Sequence, residues 1–290
     1  MISIIIPTFN NLDYLKLVIK SIQKNSKLPN EIILHVNEGN DGTLDYVKKN
    51  NYKYSYSEIN NGMCIGCNKA ASISKYDLIL YAHDDMYFCP NWDQFLIDEA
   101  NKLDTKLFYL SGTMINGDPK LNGHLNFYAG ETAKTFDELR LLKNYMGLNC
   151  DDFQGSTWAP HLIHKEVWNK VGGFSVEFSP GTGSDPDLNM KLWKLGVRIF
   201  KGVSKSRVYH FGSVVTRQKE KNFFSITDTG NKGNKIFLKK WGISIRFFKK
   251  HYLRSDTMFE GLLKEPNKNI NYYLDLFKVK LTLFYIKLFN

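Results

Sequence analysis

The amino-terminal hundred residues alternate short apolar runs with amphipathic segments, and this alternation restricts the chain to few folds. Ile2–Ile6 is a continuous apolar run, as expected of a strand buried on both faces of a parallel sheet. An amphipathic helix follows it, and further strands are predicted at Glu31–Val36, Tyr52–Ser57 and Asp77–Ala82. Strand–helix–strand repetition of this kind is typical of a doubly wound α/β sheet.

The remainder of the chain is less regular. Short strands are predicted at Leu107–Leu110 and Arg207–Tyr209, and beyond about residue 215 the pattern becomes helical, basic and aromatic. We therefore predict an α/β catalytic domain over residues 1–215 and a helical carboxy-terminal extension over residues 216–290.

Cysteine usage and terminal sequence indicate the compartment. Four cysteines in 290 residues are too few for a disulfide framework. The amino terminus has no basic region before its apolar run, and no apolar stretch reaches the roughly 18 residues of a membrane span. We expect a cytoplasmic protein.

The acidic pair Asp84-Asp85 directly follows a predicted apolar strand. Two adjacent carboxylates at the end of a buried strand repel each other, and a divalent cation such as Mn²⁺ or Mg²⁺ would neutralise them. The alternative is a solvated loop that leads into the next helix.

Polar residues at three strand ends predict a common crevice. Thr8, Glu38 and Asp85 follow successive strands, and open α/β sheets bind nucleotides at this edge. The glycine-rich dinucleotide fingerprint and the Walker-type loop are both missing from the sequence. Phosphate groups would then depend largely on a metal ion, which strengthens the metal interpretation of the acidic pair.

The order and spacing of several motifs over residues 2–212 resemble a family 2 glycosyltransferase of the GT-A fold. The motifs are Ile4-Ile5-Ile6-Pro7-Thr8-Phe9-Asn10, Glu31-Ile32-Ile33, Asn61-Gly62, Asn68-Lys69-Ala70, the acidic pair, Val171-Gly172-Gly173-Phe174, Ser184-Asp185-Pro186-Asp187-Leu188, Gly196 and Val208-Tyr209-His210. The resemblance implies a mixed sheet flanked by helices.

The resemblance also implies an activity. Such an enzyme transfers a hexosyl group from a nucleotide diphosphate sugar, here most simply UDP-linked, to a hydroxyl group of a saccharide or lipid-linked saccharide. The reaction is metal-dependent and inverting, as in the synthesis of surface polysaccharides. Two other classes stay open: a non-catalytic module that binds carbohydrate or nucleotide sugar, and a nucleotidyltransferase.

Donor-binding residues follow from the same resemblance. Glu38 occupies the place of the acidic residue that contacts the base, although the usual Asp-Asp-Gly-Ser motif reads Asn37-Glu38-Gly39-Asn40 here. The further positions implied to contact the nucleotide sugar are Pro7, Thr8, Asn10, Asn61, Gly62, Asn68 and Asp84.

The metal motif of the family, Asp-any-Asp, reads His83-Asp84-Asp85 in this chain. Asp85 matches the metal-binding acid, and His83 replaces the first acid, so we expect Asp84 to act in its stead. His210 matches a position that supplies a metal or diphosphate contact.

Asp185 precedes a proline at a predicted helix start and has two interpretations. As an N-cap it would stabilise the helix by about 1 kcal/mol, and the helix dipole would lower its pKa. In the resembling family the matching acid is the base that deprotonates the acceptor hydroxyl group. Trp158, His161 and Asp187 are the residues we expect to contact the acceptor.

All of the positive charge excess lies in the last third of the chain. Residues 1–200 carry 20 Lys and Arg against 23 Asp and Glu, and residues 201–290 carry 19 against 6. We expect no nucleic-acid partner beside a nucleotide-sugar site. Attachment of residues 235–290 to an anionic membrane is one interpretation, with Tyr272–Phe289 as an amphipathic helix. Packing on the catalytic domain and homodimer formation are the alternatives for this helix.

Overall fold

The computed structural model describes residues 1–117, 125–156, 158–212 and 226–289. In this part of the chain the strands are β1 (Ser3–Phe9), β2 (Glu31–Asn37), β3 (Lys53–Ser57), β4 (Leu78–Tyr81), β5 (Met86–Phe88), β6 (Phe108–Asn116), β7 (Leu125–Asn126), β8 (Phe153–Gln154), β9 (His161–His164) and β10 (Ile199–His210).

The α-helices of the same residues are α1 (Leu12–Asn25), α2 (Thr43–Lys49), α3 (Met63–Ser72), α4 (Trp92–Asn101), α5 (Glu138–Asn144), α6 (Lys165–Val171), α7 (Ser184–Leu195), α8 (Ile226–Trp241), α9 (Ile245–Phe248) and α10 (Ile270–Phe289). Single turns of 3₁₀-helix lie at Tyr145–Gly147 and Val176–Phe178, and a π-helical turn lies at Lys249–Leu253.

The strands form one mixed sheet in the order β3-β2-β1-β4-β9-β6-β10-β5, with β7 paired to β6 and β8 paired to β10. Strands β1 to β4 are parallel, and β9 runs antiparallel between β4 and β6. Helix α3 packs on β1 and β2, and α4 packs on β10 and β6. The predicted mixed sheet with flanking helices is confirmed.

Strand β1 is longer than the apolar run predicts, because it continues through Pro7 and Thr8 to Phe9. Strand β4 pairs with β1 only over Ser3–Ile5, so the far end of β1 has β2 as its single neighbour. A strand tolerates proline where one of its edges is open. The extension of β1 carries Thr8 into the region where the strand ends meet.

The helical extension packs on the sheet domain and shares its core. Phe237, Phe248 and Leu253 are fully buried and belong to the same hydrophobic cluster as the residues of β1 and β4. The predicted boundary between residues 215 and 216 lies outside the described residues.

Helix α10 confirms the helix predicted over Tyr272–Phe289, but its apolar stripe points away from the protein. The buried face consists of Tyr272, Val279 and Ile286. The stripe that the sequence predicts is more than half exposed at every position: Leu274, Phe277, Leu281, Phe284 and Leu288. None of the helices within the described ranges has the length and apolar character needed to span a bilayer.

Candidate active site

The carboxyl ends of the parallel strands meet at one edge of the sheet, as the sequence predicts. Thr8 Oγ1, near the end of β1, donates a hydrogen bond of 2.7 Å to Asp84 Oδ2 in the loop after β4. Asn10 Nδ2, just after β1, donates a bond of 3.3 Å to Glu38 Oε2, just after β2. The polar strand ends are therefore in direct contact.

Three side chains at this edge form a group that can hold a metal ion: His83, Asp85 and His210, whose ligand atoms all lie within 4.8 Å of one another. His210 Nε2 lies 3.3 Å from Asp85 Oδ1, and His83 Nδ1 lies 3.8 Å from the same oxygen. Antiparallel pairing of His210 with Met86 in β5 brings the end of β10 beside Asp85.

The chemistry of this group fits a divalent transition metal. Burial lowers the pKa of His83 to about 4, so its imidazole is neutral at pH 7 and has a free lone pair. Two imidazoles and one carboxylate suit a divalent transition metal better than Mg²⁺, which prefers oxygen ligands throughout. The sequence motif indicates His83 only as the residue that replaces the first acid of the Asp-any-Asp metal motif. Its ability to ligate a metal, together with the predicted role of His210, was the signal that could have identified it.

Asp84 lies close to this group but is oriented toward β1 through its bond with Thr8. Burial, with a further contribution from the charge of Asp85, raises the pKa of Asp84 to about 7. The hydrogen bond from Thr8 occupies Oδ2 of this carboxyl group, and Asp84 is not part of the group of three ligand side chains. The structure thus brings His83, rather than Asp84, to Asp85 and His210.

Glu38 forms a hydrogen-bonded loop cluster at the same edge of the sheet. Its Oε1 accepts a bond of 3.2 Å from the backbone N–H of Asn60, in addition to the bond from Asn10. Glu38 and Asn10 both have left-handed backbones, with φ of 58° and 45°. Non-glycine residues rarely adopt this conformation. Half-buried Pro7 precedes this cluster on β1.

The remaining predicted donor residues have two different placements. Asn61 and Gly62 lie in the loop before α3, where Gly62 has φ of 81° and an added Cβ would lie 3.0 Å from Ser179. Asn68 instead binds the protein backbone, since its Nδ2 donates to Phe174 O at 2.8 Å and its Oδ1 accepts from Phe174 N at 2.9 Å. Asn68 therefore fastens α3 to the loop that follows α6.

Asp185 is the second residue of α7, which begins at Ser184 after an N-cap at Gly183. The N-cap interpretation of Asp185 is therefore wrong. Its side chain is 19% exposed, and among the described residues Oδ1 has no hydrogen-bond partner. Burial raises the pKa of Asp185 to about 7, opposite to the lowering expected at a helix start.

His161 lies directly against this carboxyl group, with Nδ1 4.0 Å from Asp185 Oδ1. The same nitrogen is hydrogen-bonded to the hydroxyl group of Tyr109 at 2.8 Å. His161 is fully buried, and burial lowers its pKa to about 3, so the ring is neutral. A neutral ring does not keep Asp185 ionised, and a fully buried one does not face an acceptor.

Tyr81 lies between His83 and His161. The centroid of its ring lies 5.3 Å from that of His83 and 5.0 Å from that of His161. Two rings, Tyr81 and His161, thus lie between the group of three ligand side chains and Asp185.

Asp187 is fully buried and binds the carboxy-terminal extension. Its Oδ2 accepts a bond of 2.6 Å from Ser175 Oγ, and its Oδ1 accepts from Trp241 Nε1 at 2.8 Å. Lys240 Nζ lies 2.9 Å from Oδ1 as well. Asp187 is therefore inaccessible to an acceptor.

Trp158 alone among the three residues predicted to contact the acceptor is exposed, at 37%. Lys249 Nζ lies 5.5 Å from the centroid of its ring. Trp158 therefore contacts the helical extension.

The sheet order and the polar strand ends define the GT-A class of α/β fold. The family described as Glycosyl transferase family 2 matches residues 3–159, which is more than half of the chain. The chain therefore belongs to this family, as the motifs imply.

One relative with a related sequence is much longer than this chain. Uncharacterized protein y4gI of Sinorhizobium fredii is 26% identical over 223 residues, which cover 68% of this chain and 23% of that protein. The chain thus spans less than a quarter of this relative.

Two solved structures share the fold. S. aureus TarS 1–349 in complex with UDP-GlcNAc has 16% identity and a TM-score of 0.51, over 86% of this chain and 74% of that chain. GalNAc-T7 with UDP, GalNAc and Mn²⁺ has 19% identity and a TM-score of 0.54, over 72% of this chain and 43% of that chain. At these identities the similarity establishes the fold alone.

Proposed function

We propose that this protein is a metal-dependent, inverting glycosyltransferase, and that residues 1–215 are its catalytic domain. It transfers a hexosyl group from a UDP-linked sugar to a hydroxyl group of a saccharide or lipid-linked saccharide acceptor, as in surface polysaccharide synthesis. One observation carries the proposal: half-buried Asp185 is linked to the His83, Asp85 and His210 group through the adjacent rings of His161 and Tyr81.

His83, Asp85 and His210 would hold the cation, and their donor set favours Mn²⁺ over Mg²⁺. When bound, the metal neutralises charge on the departing diphosphate. Asp84 supports the group indirectly, because its bond to Thr8 ties the loop that carries His83 and Asp85 to β1.

Asp185 is the base in this proposal. The acceptor oxygen attacks the anomeric carbon, the bond from that carbon to the diphosphate oxygen breaks, and the hydroxyl proton passes to Asp185. A pKa of about 7 makes this carboxylate a better proton acceptor than an ordinary aspartate while leaving much of it ionised at neutral pH. The Asp185 side chain is 19% exposed, so an acceptor hydroxyl group can reach the carboxylate, whereas its unpartnered Oδ1 is the buried oxygen next to His161.

The loop cluster around Asn10, Glu38 and Asn60 would bind the base of the nucleotide. Glu38 offers carboxylate oxygens that already accept from an amide and a backbone N–H, and the N–H of uracil is a donor of the same kind. TarS in complex with UDP-GlcNAc and GalNAc-T7 in complex with UDP support a uridine donor.

The decisive experiment measures hydrolysis and transfer for a panel of nucleotide sugars, with and without Mn²⁺. We expect turnover of a UDP-sugar that requires the metal and is lost in Asp185→Asn, with UDP binding retained. Absence of turnover, with equal UDP binding by wild type and Asp185→Asn, would instead identify a binding module. Formation of a UDP-sugar from UTP and a sugar 1-phosphate would identify a nucleotidyltransferase.

The proposed enzyme works at an anionic membrane, with residues 235–290 as the attaching segment. The outer stripe of α10 exposes large apolar side chains, and Lys278 and Lys280 on the same helix are exposed too. Such stripes are typical of surface-bound helices. We expect cosedimentation with phosphatidylglycerol vesicles that is lost in Phe277→Ser/Phe284→Ser and kept in Lys264→Gln/Lys268→Gln. A stable homodimer that binds no vesicles would contradict this attachment.

A further inference from the structure

A second concave site lies in the helical extension, separate from the strand-end site. It is a cavity of about 1010 Å³ between α8, α9, the π-helical turn and α10. Five of its lining residues are cations and one is an acid: Lys235, Arg246, Lys249, Lys250, Arg254 and Asp256. A cavity of this size and charge is suited to an anionic ligand.

The charges of this cavity are only partly compensated. Lys250 Nζ lies 2.7 Å from Asp275 Oδ2, and Lys249 Nζ lies 3.9 Å from Asp256 Oδ2. In the ranges that the structure describes, no ion pair forms with Lys235, Arg246 or Arg254. These three cations remain available to a bound anion.

One wall of the cavity rests on the segment that leads to His161. Ser255, which lines the cavity, donates a bond of 2.7 Å from its Oγ to the carbonyl oxygen of Gly155. Lys249 is another lining residue and lies over the ring of Trp158, three residues before His161. Exposed Trp158 therefore contacts a lining residue of the cavity and belongs to the same segment as His161.

The opposite wall rests on the segment that leads to Asp185. Gly233 in α8 packs so closely on the backbone of Thr182 that a side chain there would clash. The lining residues Asn234 and Lys235 follow Gly233 directly, and Thr182 precedes Asp185 by three positions. Both walls thus contact segments that carry the base and the residue against it.

We propose that this cavity binds phosphate groups of the acceptor, so that the acceptor is an anionic, phosphate-bearing saccharide. This inference rests on the proposed function. Arg246 and Arg254 provide planar guanidinium groups that pair with phosphate oxygens, and Lys235 provides a point charge. The donor diphosphate belongs to the metal-binding group, none of whose residues lines the cavity.

The test uses inorganic tripolyphosphate as a soluble probe in metal-free buffer containing saturating UDP, measured by calorimetry. The variant Lys235→Gln/Arg246→Gln/Arg254→Gln removes the three unpaired cations. The control Lys205→Gln/Lys264→Gln/Lys268→Gln removes the same charge from exposed positions outside the cavity. We expect tripolyphosphate affinity to fall at least about tenfold in the first variant and to stay unchanged in the control.

Equal losses of affinity in both triple variants, or no saturable binding to wild type, would overturn the proposal. So would a variant that loses phosphatidylglycerol vesicle binding but binds tripolyphosphate normally, since the anion would then be a lipid headgroup. UDP-sugar hydrolysis, measured without acceptor, separates the two claims. Hydrolysis that persists while anion binding fails contradicts only the cavity, and failure of hydrolysis contradicts the proposed function itself.

Discussion

Asp85 is a buried and Asp185 a half-buried carboxylate, and their surroundings differ in kind. Asp85 has two imidazole rings beside it, with nitrogens 3.3 Å and 3.8 Å from one oxygen. Asp185 lies against the neutral ring of His161, and its Oδ1 has no hydrogen-bond partner among the described residues. Asp85 and its two imidazole neighbours can ligate a cation together, whereas the surroundings of Asp185 favour protonation of its carboxylate.

The rings of Tyr81 and His161 lie between the two arrangements, so the fold would separate the proposed cation site from the proposed base by two adjacent rings. Burial alone does not distinguish them, since both acids are taken from water. Asp85 and Asp185 differ in whether the neighbouring side chains offer atoms that can ligate a metal. Substituting one side chain at a time therefore tests the proposed metal site and the proposed base separately.

The largest effect is expected from Asp185→Asn, which keeps the shape of the side chain but removes the proton acceptor. Transfer should fall by about 1000-fold, within the usual range for loss of a general base. In wild type, kcat/KM should rise with pH and reach half its maximum near pH 7, because only ionised Asp185 accepts a proton. A pH–rate profile of both proteins checks this, and an unchanged rate would remove Asp185 from the chemistry.

The same substitution should stabilise the protein. The pKa of Asp185 rises from 3.8 to about 7 on folding, so the folded state binds the proton more tightly. Ionisation then costs stability as pH rises from about 4 to 7, and the cost is fully present above pH 7. At about 1.4 kcal/mol per pKa unit, Asp185→Asn should raise the free energy of unfolding by up to about 4 kcal/mol at pH 8. Urea unfolding at pH 4 and pH 8 measures this, and an equal effect at both values would contradict it.

A third prediction separates His83 from Asp84. His83→Ala removes a proposed ligand and should weaken Mn²⁺ binding by about 10- to 100-fold, whereas Asp84→Asn keeps the group intact and should change it by less than about threefold. Calorimetric titration with Mn²⁺ compares the two variants. A larger loss of Mn²⁺ affinity in Asp84→Asn than in His83→Ala would instead indicate that Asp84 and Asp85 ligate the metal.

The smallest effect concerns the helix that carries the base. Trp241→Phe removes the N–H that donates to buried Asp187, and should lower the free energy of unfolding by about 1 kcal/mol. Trp158→Phe is the matched control, because Trp158 is exposed, and we expect no change there. Similar urea midpoints for both variants would show that the Asp187 contact contributes nothing.

The sequence was sufficient for features set by local pattern. The parallel strands at the amino-terminal end follow from apolar runs, and the convergence of Thr8, Glu38 and Asp85 follows from the rule that parallel strands end at one edge. Asp185 was found through its motif, although its environment was misjudged. Its raised pKa arises from burial against His161, which lies 24 positions earlier in the chain.

Features that depend on distant partners were missed. Strand β10 is predicted only near its end because Lys201 and Lys205 interrupt the apolar pattern, yet Lys201 is buried between Glu99 at 2.6 Å and Asp152 at 2.8 Å. Asp187 was expected at the acceptor because its partner Trp241 is 54 residues away. The sequence of one chain does not indicate which residues so far apart are in contact.

Asp185 and Asp187 occupy the same first turn of α7, one with a free oxygen and the other bound to the extension through Trp241. A shortened chain that stopped after the sheet would keep every residue proposed for catalysis. It would nevertheless leave the carboxylate of Asp187 without the indole and ammonium groups that neutralise it. The turn that presents the base would then be the first to distort, so a minimal active fragment must retain the helix ending at Trp241.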